Sequence, residues 1–526
     1  MTLLKSAATV GGLTLVSRAA GFIRDMLTAS VLGTGPVAQA FVVAFRFPNL
    51  FRSLFAEGAF NSAFVPMFAK KLEGGGEAEA RSFAEDIFSV MFAWLLFFTA
   101  IAQIAMPLLM YVIAPGFTGD QDKFDLSVAL TRIAFPYLLF MSLTALQSGV
   151  LNSLRRFVAA ACAPILLNLV MIATLVIVRY MGWGESAATG YALVWGVCAA
   201  GVAQFLLLFI ACSRANMRMR LKFPKLTPDA KRLIRLGIPG VIAGGITQVN
   251  ILIATMIATT IDRAVSYLYY ADRVYQLPLG VVGVAIGVVL LPEMSRKLRA
   301  GDEAGALLSQ NRSLEFALFL TLPATIALIA IPFAIVNVCF EHGVFTRSDS
   351  IATAYALGAF AMGLPAFVIN KVFSPGFFAR EDTKRPMMFA ITSVVVNVTS
   401  SLILSRFIGH IGIALSTALA AWVNATLLGM TLASHGHFTA DQRLRNRLPR
   451  IIAASLAMGA ILLCGFYLSA PIFTDSHPLW FRALVLIGLV ALGGIGYFLL
   501  AHLFGAMKLG EIRKMIRRGP VSNIAA

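Results

Sequence analysis

Apolar windows of about 20 residues follow one another along the whole of this 526-residue chain, each long enough to cross a hydrocarbon core of ~30 Å as a helix. In lipid every backbone amide must be paired within the protein, so such windows fold as α-helices. Fourteen can be read, near 10–32, 37–68, 88–113, 128–152, 158–179, 187–212, 235–258, 265–294, 313–337, 351–378, 387–406, 411–434, 450–470 and 481–504. The expectation is an all-α polytopic membrane protein with 14 transmembrane helices. Composition agrees: 59% of residues are hydrophobic and only 13% are charged, too few to clothe a soluble domain of this length. The second, eighth and tenth windows exceed a simple crossing. They carry Pro48 and Pro66, Pro278 and Pro292, and Pro365 and Pro375, so kinked or broken segments are expected there.

A net charge of +18 would suit nucleic acid, but its distribution follows topology instead. With the N-terminus in the cytoplasm, the cytoplasmic connections and both termini hold 30 of the 43 Lys and Arg. The opposite connections hold Lys123, Arg179, Arg263, Arg347, Arg406 and Arg482. This asymmetry is the positive-inside pattern and puts both termini in the cytoplasm. The basic balance therefore predicts contact with anionic membrane lipids and no nucleic-acid partner. No small-residue cleavage site follows the first apolar window, so that window is expected to be retained. Cys162, Cys198, Cys212, Cys339 and Cys464 are scattered with no CxxC spacing and read as inert apolar thiols.

A basic loop near 213–234 separates six windows from eight. Pro136 and Pro365, and likewise Asn168 and Asn397, lie 229 positions apart. Pro66 with Lys70-Lys71 resembles Pro292 with Arg296-Lys297 at an offset of 226. These matches describe two six-helix repeats of one orientation, the arrangement in which transporters bind substrate at the repeat interface. The expected organisation is a lobe over 1–225, a second lobe over 226–440, two further helices within 441–510, and a cytoplasmic tail over 511–526.

Seven cations fall inside the windows: Arg18, Arg24, Arg46, Arg52, Arg132, Arg273 and Lys371. Three acids accompany them, Asp25, Glu57 and Asp272. A cation at mid-bilayer costs about 3 kcal/mol, so such residues mark function unless something local accounts for them. Arg132 and Lys371 lie near window ends, where long side chains reach the interface. Adjacent Arg24-Asp25 and Asp272-Arg273 can neutralise themselves, or can mark two halves facing one cavity. The excess of arginine over acid calls for an external anion. Arginine's planar fork favours phosphate or pyrophosphate, because it bonds such groups bidentately and stays charged when desolvated.

Enzyme constellations are missing from the sequence. No His lies mid-window, and no HExxH, GxSxG or P-loop occurs. Asp120, Asp122 and Asp125 occupy a short external loop and read as solvated charge. Asn250, Asn397, Thr392 and Thr399 offer oxygens to a monovalent cation, with helix–helix hydrogen bonding as the competing role.

Longer motifs carry a family resemblance. Ser17-Arg18-x-x-Gly21-x-x-Arg24-Asp25 is followed by Ala40-Phe41-Val42-Val43-Ala44-Phe45-Arg46-x-Pro48-Asn49-Leu50-x-Arg52. Phe55-Ala56-Glu57-Gly58-Ala59-Phe60 and Ala63-Phe64-Val65-Pro66 come next. Tyr269-Tyr270-Ala271-Asp272-Arg273, Gln276-x-Pro278-Leu279-Gly280 and Leu290-Leu291-Pro292 follow in the second half. Together they closely resemble the MurJ (MviN) family of lipid II flippases, within the multidrug/oligosaccharidyl-lipid/polysaccharide exporter superfamily, over essentially the whole chain.

The resemblance implies a V-shaped, two-lobed fold with a cationic central cavity, and a groove for a polyprenyl tail within 441–510. It implies an inner-membrane flippase rather than an enzyme. Its substrate would be undecaprenyl-pyrophosphate disaccharide pentapeptide, moved from the cytoplasmic to the periplasmic leaflet by alternating access. By motif position Arg18, Arg24, Arg52 and Arg273 match the family's cavity arginines and would bind the pyrophosphate. Arg46, Asp25, Glu57 and Asp272 match its further cavity and gating positions. Gln39 departs from the family, where many relatives carry an acid, which puts acid-dependent gating or ion coupling at that position in doubt. The family's cation site transfers only as a guess at Asn250 and Asn397. No cofactor is expected beyond monovalent-cation coupling, and the expected state is a monomer that can sit near other cell-wall synthesis proteins. The alternatives are an exporter of another polyprenyl-linked polysaccharide or of drugs, or a polyprenyl-phosphate enzyme or scaffold. A drug exporter for cations would want an acidic cavity, and an enzyme would want acid/His pairs that the windows lack.

Overall fold

A computed structural model of the chain describes residues 3–52, 59–474 and 476–506, and among these residues helices are the regular structure and no strand occurs. In order they are α1 (Leu3–Leu32), α2 (Pro36–Arg52), α3 (Ala59–Ile113), α4 (Gln121–Ala134), α5 (Tyr137–Ser153) and α6 (Phe157–Tyr180). Then come α7 (Ala187–Arg214), α8 (Pro228–Thr259), α9 (Ala264–Arg299), α10 (Glu303–Ala330), α11 (Pro332–Phe340) and α12 (Arg347–Ala361). The last are α13 (Leu364–Phe378), α14 (Lys384–Ile408), α15 (His410–Ser434), α16 (Gln442–Ser469) and α17 (Leu479–Leu503).

Among the described residues the apolar windows fall on helix, some of them broken within the window. Among the described residues ten helical segments are long and apolar enough to cross a membrane. The helices outside the ten include α1, α2 and α9, which carry the arginines of the two motif blocks.

Several crossings are pairs of helices broken at a fixed point. Pro136 interrupts the fourth window between α4 and α5, because it has no N–H to continue the ladder. The tenth breaks between α12 and α13, where Gly363 lets the backbone approach Ala418; a Cβ on Gly363 would lie 2.8 Å from the Ala418 Cα. Pro136 and Pro365, the 229-residue pair, thus each sit at the start of the second helix of a broken crossing. The ninth window also breaks, at Pro332. By contrast α9 runs unbroken through Pro278 and Pro292. Gly76, with φ 74°, turns the chain inside α3, joining the second window to the third at the Gly74-Gly75-Gly76 run.

The chain divides into two compact units. The first comprises Met1–Ser266 together with His342–Phe345, and α8 belongs to it. Its core joins the end of α1 to α2, α4, the start of α5, α6 and α7 through Leu32, Phe41, Leu130, Tyr137, Met171 and Val194. Small residues allow this approach, as they do generally between helices in lipid. A Cβ on Gly201 would come within 2.8 Å of the Tyr137 ring. The basic loop after α7 is fastened along α3: Lys222 Nζ pairs with Glu85 Oε2 at 2.9 Å, and the Arg220 and Lys222 amides donate to Glu85 Oε1 and Ser89 Oγ. The hydrogen bond that Lys222 donates to Glu85 raises the Lys222 pKa above its ordinary value.

The second unit comprises Tyr267–Glu341 and Thr346–Ala526. Here α16 and α17 pack on α10 and α11 through Phe319, Ile331, Met458, Leu462 and Tyr497. Tyr497 spends its hydroxyl inside this core, donating to the Phe319 carbonyl at 2.7 Å. At the start of α16, Arg443 and Arg447 converge on the buried Glu315 of α10, which Arg312 also pairs with at 2.7 Å.

Candidate functional site

In the first unit the arginines of α1 have different surroundings. Arg18 is exposed, and it has no hydrogen bond or ion pair among the described residues. Arg24, six positions on, is 9% exposed and Asp25 is 3% exposed. Arg24 Nη2 and Nε donate to Asp25 Oδ1 at 2.8 and 3.1 Å. Arg24 Nη1 donates to Asn168 Oδ1 of α6 at 3.0 Å. The Asn168 amide nitrogen in turn donates to the Ser17 carbonyl at 2.9 Å, so the same side chain grips α1 at two levels. The guanidinium also lies 5.8 Å from the Phe45 ring of α2. Carboxylate, amide and ring together fix the direction of a buried cation.

Arg46 on α2 is half-buried, and its Nη1 donates to Thr255 Oγ1 of α8 at 2.9 Å. Thr255 passes the bond on to the Ile251 carbonyl at 2.8 Å. The side chain of Arg52, and Glu57 altogether, lie outside the described residues. Gln39 is fully buried and takes the Lys123 ammonium on its Oε1 at 2.9 Å. Lys123 itself sits 4.1 Å from the Phe117 ring centroid. A neutral amide thus fills the acceptor role at position 39. Arg132 exchanges bonds with Gln103, its Nε donating to the Gln103 carbonyl at 3.1 Å, an arrangement that suits an anchor near a helix end.

In the second unit Asp272 and Arg273 on α9 are both half-buried. Asp272 accepts a hydrogen bond from Gln276 one turn along, and Arg273 lies 4.7 Å from the Tyr269 ring centroid, a cation–π distance. The Arg-Asp and Asp-Arg motifs are therefore held differently: one is an ion pair, whereas in the other each member turns to a neighbour on its own helix. Lys371 on α13 is exposed.

Asn250 lies on α8 of the first unit and Asn397 on α14 of the second, the latter 2% exposed with Ser401 Oγ near its Oδ1. Among the described residues no group of three or more His, Cys, Asp or Glu could hold a metal ion. Sequence reasoning missed the supporting residues Asn168, Thr255, Tyr269, Gln276 and Lys123. Asn168 stood out only as a repeat marker, and its partner Arg24 lies 144 positions away.

Chemically, the arrangement presents guanidinium groups along membrane-crossing helices with fewer carboxylates than cations. It suits recognition of a phosphate-bearing anion.

Comparison with known proteins bears on this arrangement. The profile of the family described as Lipid II flippase MurJ matches residues 28–480. A relative in Rhizobium meliloti (strain 1021), named probable lipid II flippase MurJ, is 49% identical over 521 residues, covering 99% of this chain and 97% of its own length. The lipid II flippase MurJ of Burkholderia cenocepacia is 34% identical over 470 residues, covering 88% of this chain and 90% of its own. In fold, the chain is similar to a solved structure of lipid II flippase MurJ in an inward closed conformation. The TM-score is 0.76 at 24% identity, over 97% of this chain and 99% of that one. An inward-facing multidrug resistance MATE family transporter of the MOP superfamily is more distant, with a TM-score of 0.63 at 14% identity over 81% and 98%.

Proposed function

The chain belongs to the lipid II flippase MurJ family, and from that premise we propose how its own residues serve the activity. It is a lipid II flippase of the bacterial inner membrane, a transporter and not an enzyme, acting in peptidoglycan biosynthesis. In our reading Arg18, Arg24, Arg52 and Arg273 bind the lipid-linked pyrophosphate, and Arg46 adds positive field. Asp25, Glu57 and Asp272 offset the cations when no substrate is bound. The observation that carries this reading is on α1. Among the described residues Arg18 has no partner of its own, while Arg24, six positions further, is buried and oriented by Asp25 and Asn168. A helix that crosses lipid with one cation held in place and another unanswered is suited to an anion from outside the chain.

Both termini are cytoplasmic in this reading, from the distribution of Lys and Arg. The lobes 1–225 and 226–440 alternate access to the two leaflets, and 441–510 receives the polyprenyl tail. Pyrophosphate binding favours whichever conformation gathers the arginines more closely, as linkage requires. Outward movement of an anion is favoured by an inside-negative potential by about 2.3 kcal/mol per charge per 100 mV, enough to bias direction without ATP. Depletion of the chain in its own cell, with lipid II scored by a probe that reaches only the outer face, tests the activity. Accumulation of lipid II on the inner face supports it, and unchanged surface exposure of lipid II contradicts it.

A further inference from the structure

We propose that the first unit carries a binding site for an anionic phospholipid where α1, α5, α6 and α7 meet, on the face assigned above to the cytoplasm and apart from the arginines assigned to lipid II. A cavity of about 540 Å³ opens there, within the range of ligand sites. Its walls are apolar, with Leu151, Phe157 and Leu207 among them, and three arginines share the lining: Arg155, Arg156 and Arg214. No carboxylate lines it, and none of the three arginines has an ion-pair partner among the described residues. Arg155 and Arg156 form the turn between α5 and α6, and Arg214 ends α7. Arg156 Nη1 donates to the Arg214 carbonyl at 3.3 Å, which gathers the three at one level of the unit.

The backbone of the turn adds an independent observation. Arg155 adopts φ 59°, the left-handed conformation that closes a helix and that glycine normally supplies. The Arg156 amide completes the closure by donating to the Leu151 carbonyl at 2.8 Å. An arginine costs about 1–2 kcal/mol more than glycine in this conformation. Strain of this kind persists at positions where the side chain has a task.

Charge and shape together select the occupant. A free phosphate would answer the arginines and leave the apolar walls exposed to water. A neutral lipid would answer the walls and leave three cations with no counter-charge. A glycerophospholipid with an anionic headgroup answers both, its phosphate on the arginines and its acyl chains along Leu151 and Leu207. Basic pockets between membrane helices on the cytoplasmic side take lipids of this kind.

Cys162, which also lines the cavity, reports occupancy. The full chain is reconstituted in vesicles of phosphatidylcholine, with or without phosphatidylglycerol, and maleimide modification of each cysteine is followed by peptide mass. Phosphatidylglycerol is expected to slow modification of Cys162 while leaving that of Cys464, which does not line the cavity, unchanged. Each arginine removed should weaken that protection about fivefold, as expected for one cation at an anionic surface. Arg155→Gly is the decisive variant, because it relieves the turn and should fold at least as stably while losing protection. Arg156→Gln and Arg214→Gln should lose it too. Equal modification in both lipids overturns the proposal, as does protection that survives Arg155→Gly with Arg214→Gln. Protection by soluble glycerol phosphate in pure phosphatidylcholine would instead make the cavity a small-anion site. Stronger protection by an added polyprenyl pyrophosphate than by phosphatidylglycerol would assign it to the transported substrate, and either result overturns the proposal.

Discussion

Arg24 Nη1 and Asn168 Oδ1 meet at 3.0 Å, joining α1 to α6 across 144 positions of sequence. The other end of the Asn168 amide holds the Ser17 carbonyl, so one asparagine both orients the cation and braces the helix that carries it. Asn168 is 6% exposed, which leaves water little access to replace it.

Asn168→Ala should therefore weaken both fold and transport. Interhelical hydrogen bonds in membranes average about 0.6 kcal/mol and reach ~1.7 kcal/mol, and the partner here is charged, so a loss of about 1–2 kcal/mol is expected. Thermal unfolding in detergent measures the first effect. Lipid II exposure at matched expression measures the second, which should fall even at temperatures where the variant stays folded.

At Gln39 the acceptor matters and the charge does not. Gln39→Leu strips the Lys123 ammonium of its Oε1 partner inside the first unit and should cost about 1.5–3 kcal/mol, the range for hydrogen bonds to charged groups. Gln39→Glu keeps an acceptor in place and should be as stable as the parent or more so. Unfolding midpoints of the two variants check this, and a Gln39→Leu chain as stable as the parent contradicts it.

Gly343 and Gly76 both have positive φ, 69° and 74°, but only one is crowded. A Cβ on Gly343 would lie 2.0 Å from the Ser30 carbonyl oxygen, which accepts the Val344 amide at 3.1 Å, while a Cβ on Gly76 meets nothing. Gly76→Ala should cost only the backbone term of about 1–2 kcal/mol. Gly343→Ala should cost clearly more, because the Ser30–Val344 bond must also give way. Melting temperatures of the two variants, side by side, decide it.

The Lys222–Glu85 pair has a defined pH signature. The Lys222 pKa is raised in the folded chain, so its stabilisation is fully present below the unfolded lysine value of about 10.4 and is lost as pH rises through the higher folded value. The Lys222 side chain is 40% exposed, so solvent screening keeps the effect small. The stability difference between the parent and Lys222→Met should stay flat from neutrality to mildly alkaline pH and shrink only beyond the lysine range. Denaturation followed across that series checks the sign.

The crossings were legible in the sequence because bilayer thickness sets a length that apolar windows must meet. Where they break was less so. Pro136 and Pro332 end helices while Pro278 and Pro292 lie inside α9, since a proline inside a membrane helix is tolerated when neighbouring groups satisfy the freed carbonyl. The arginines were legible as residue types at motif spacing, but their partners were not. Asn168 and Thr255 lie 144 and 209 positions from the arginines they hold, and no local pattern encodes that. Adjacency left the pairing within each motif open. Neighbours on a helix do not face each other, so Arg24 reaches back to Asp25 whereas Arg273 turns to Tyr269 and Asp272 to Gln276.

The central claim is that Arg24 and Arg273 carry the lipid-linked pyrophosphate. Its most direct test is complementation of a depleted strain by Arg24→Ala and Arg273→Ala at matched membrane abundance, with lipid II on the outer face as the readout. Compared at that matched abundance, each variant is expected to leave lipid II on the inner face, even though loss of the Arg24 guanidinium also strips the buried Asp25 and Asn168 of a partner. Full restoration of surface lipid II by either variant would contradict it.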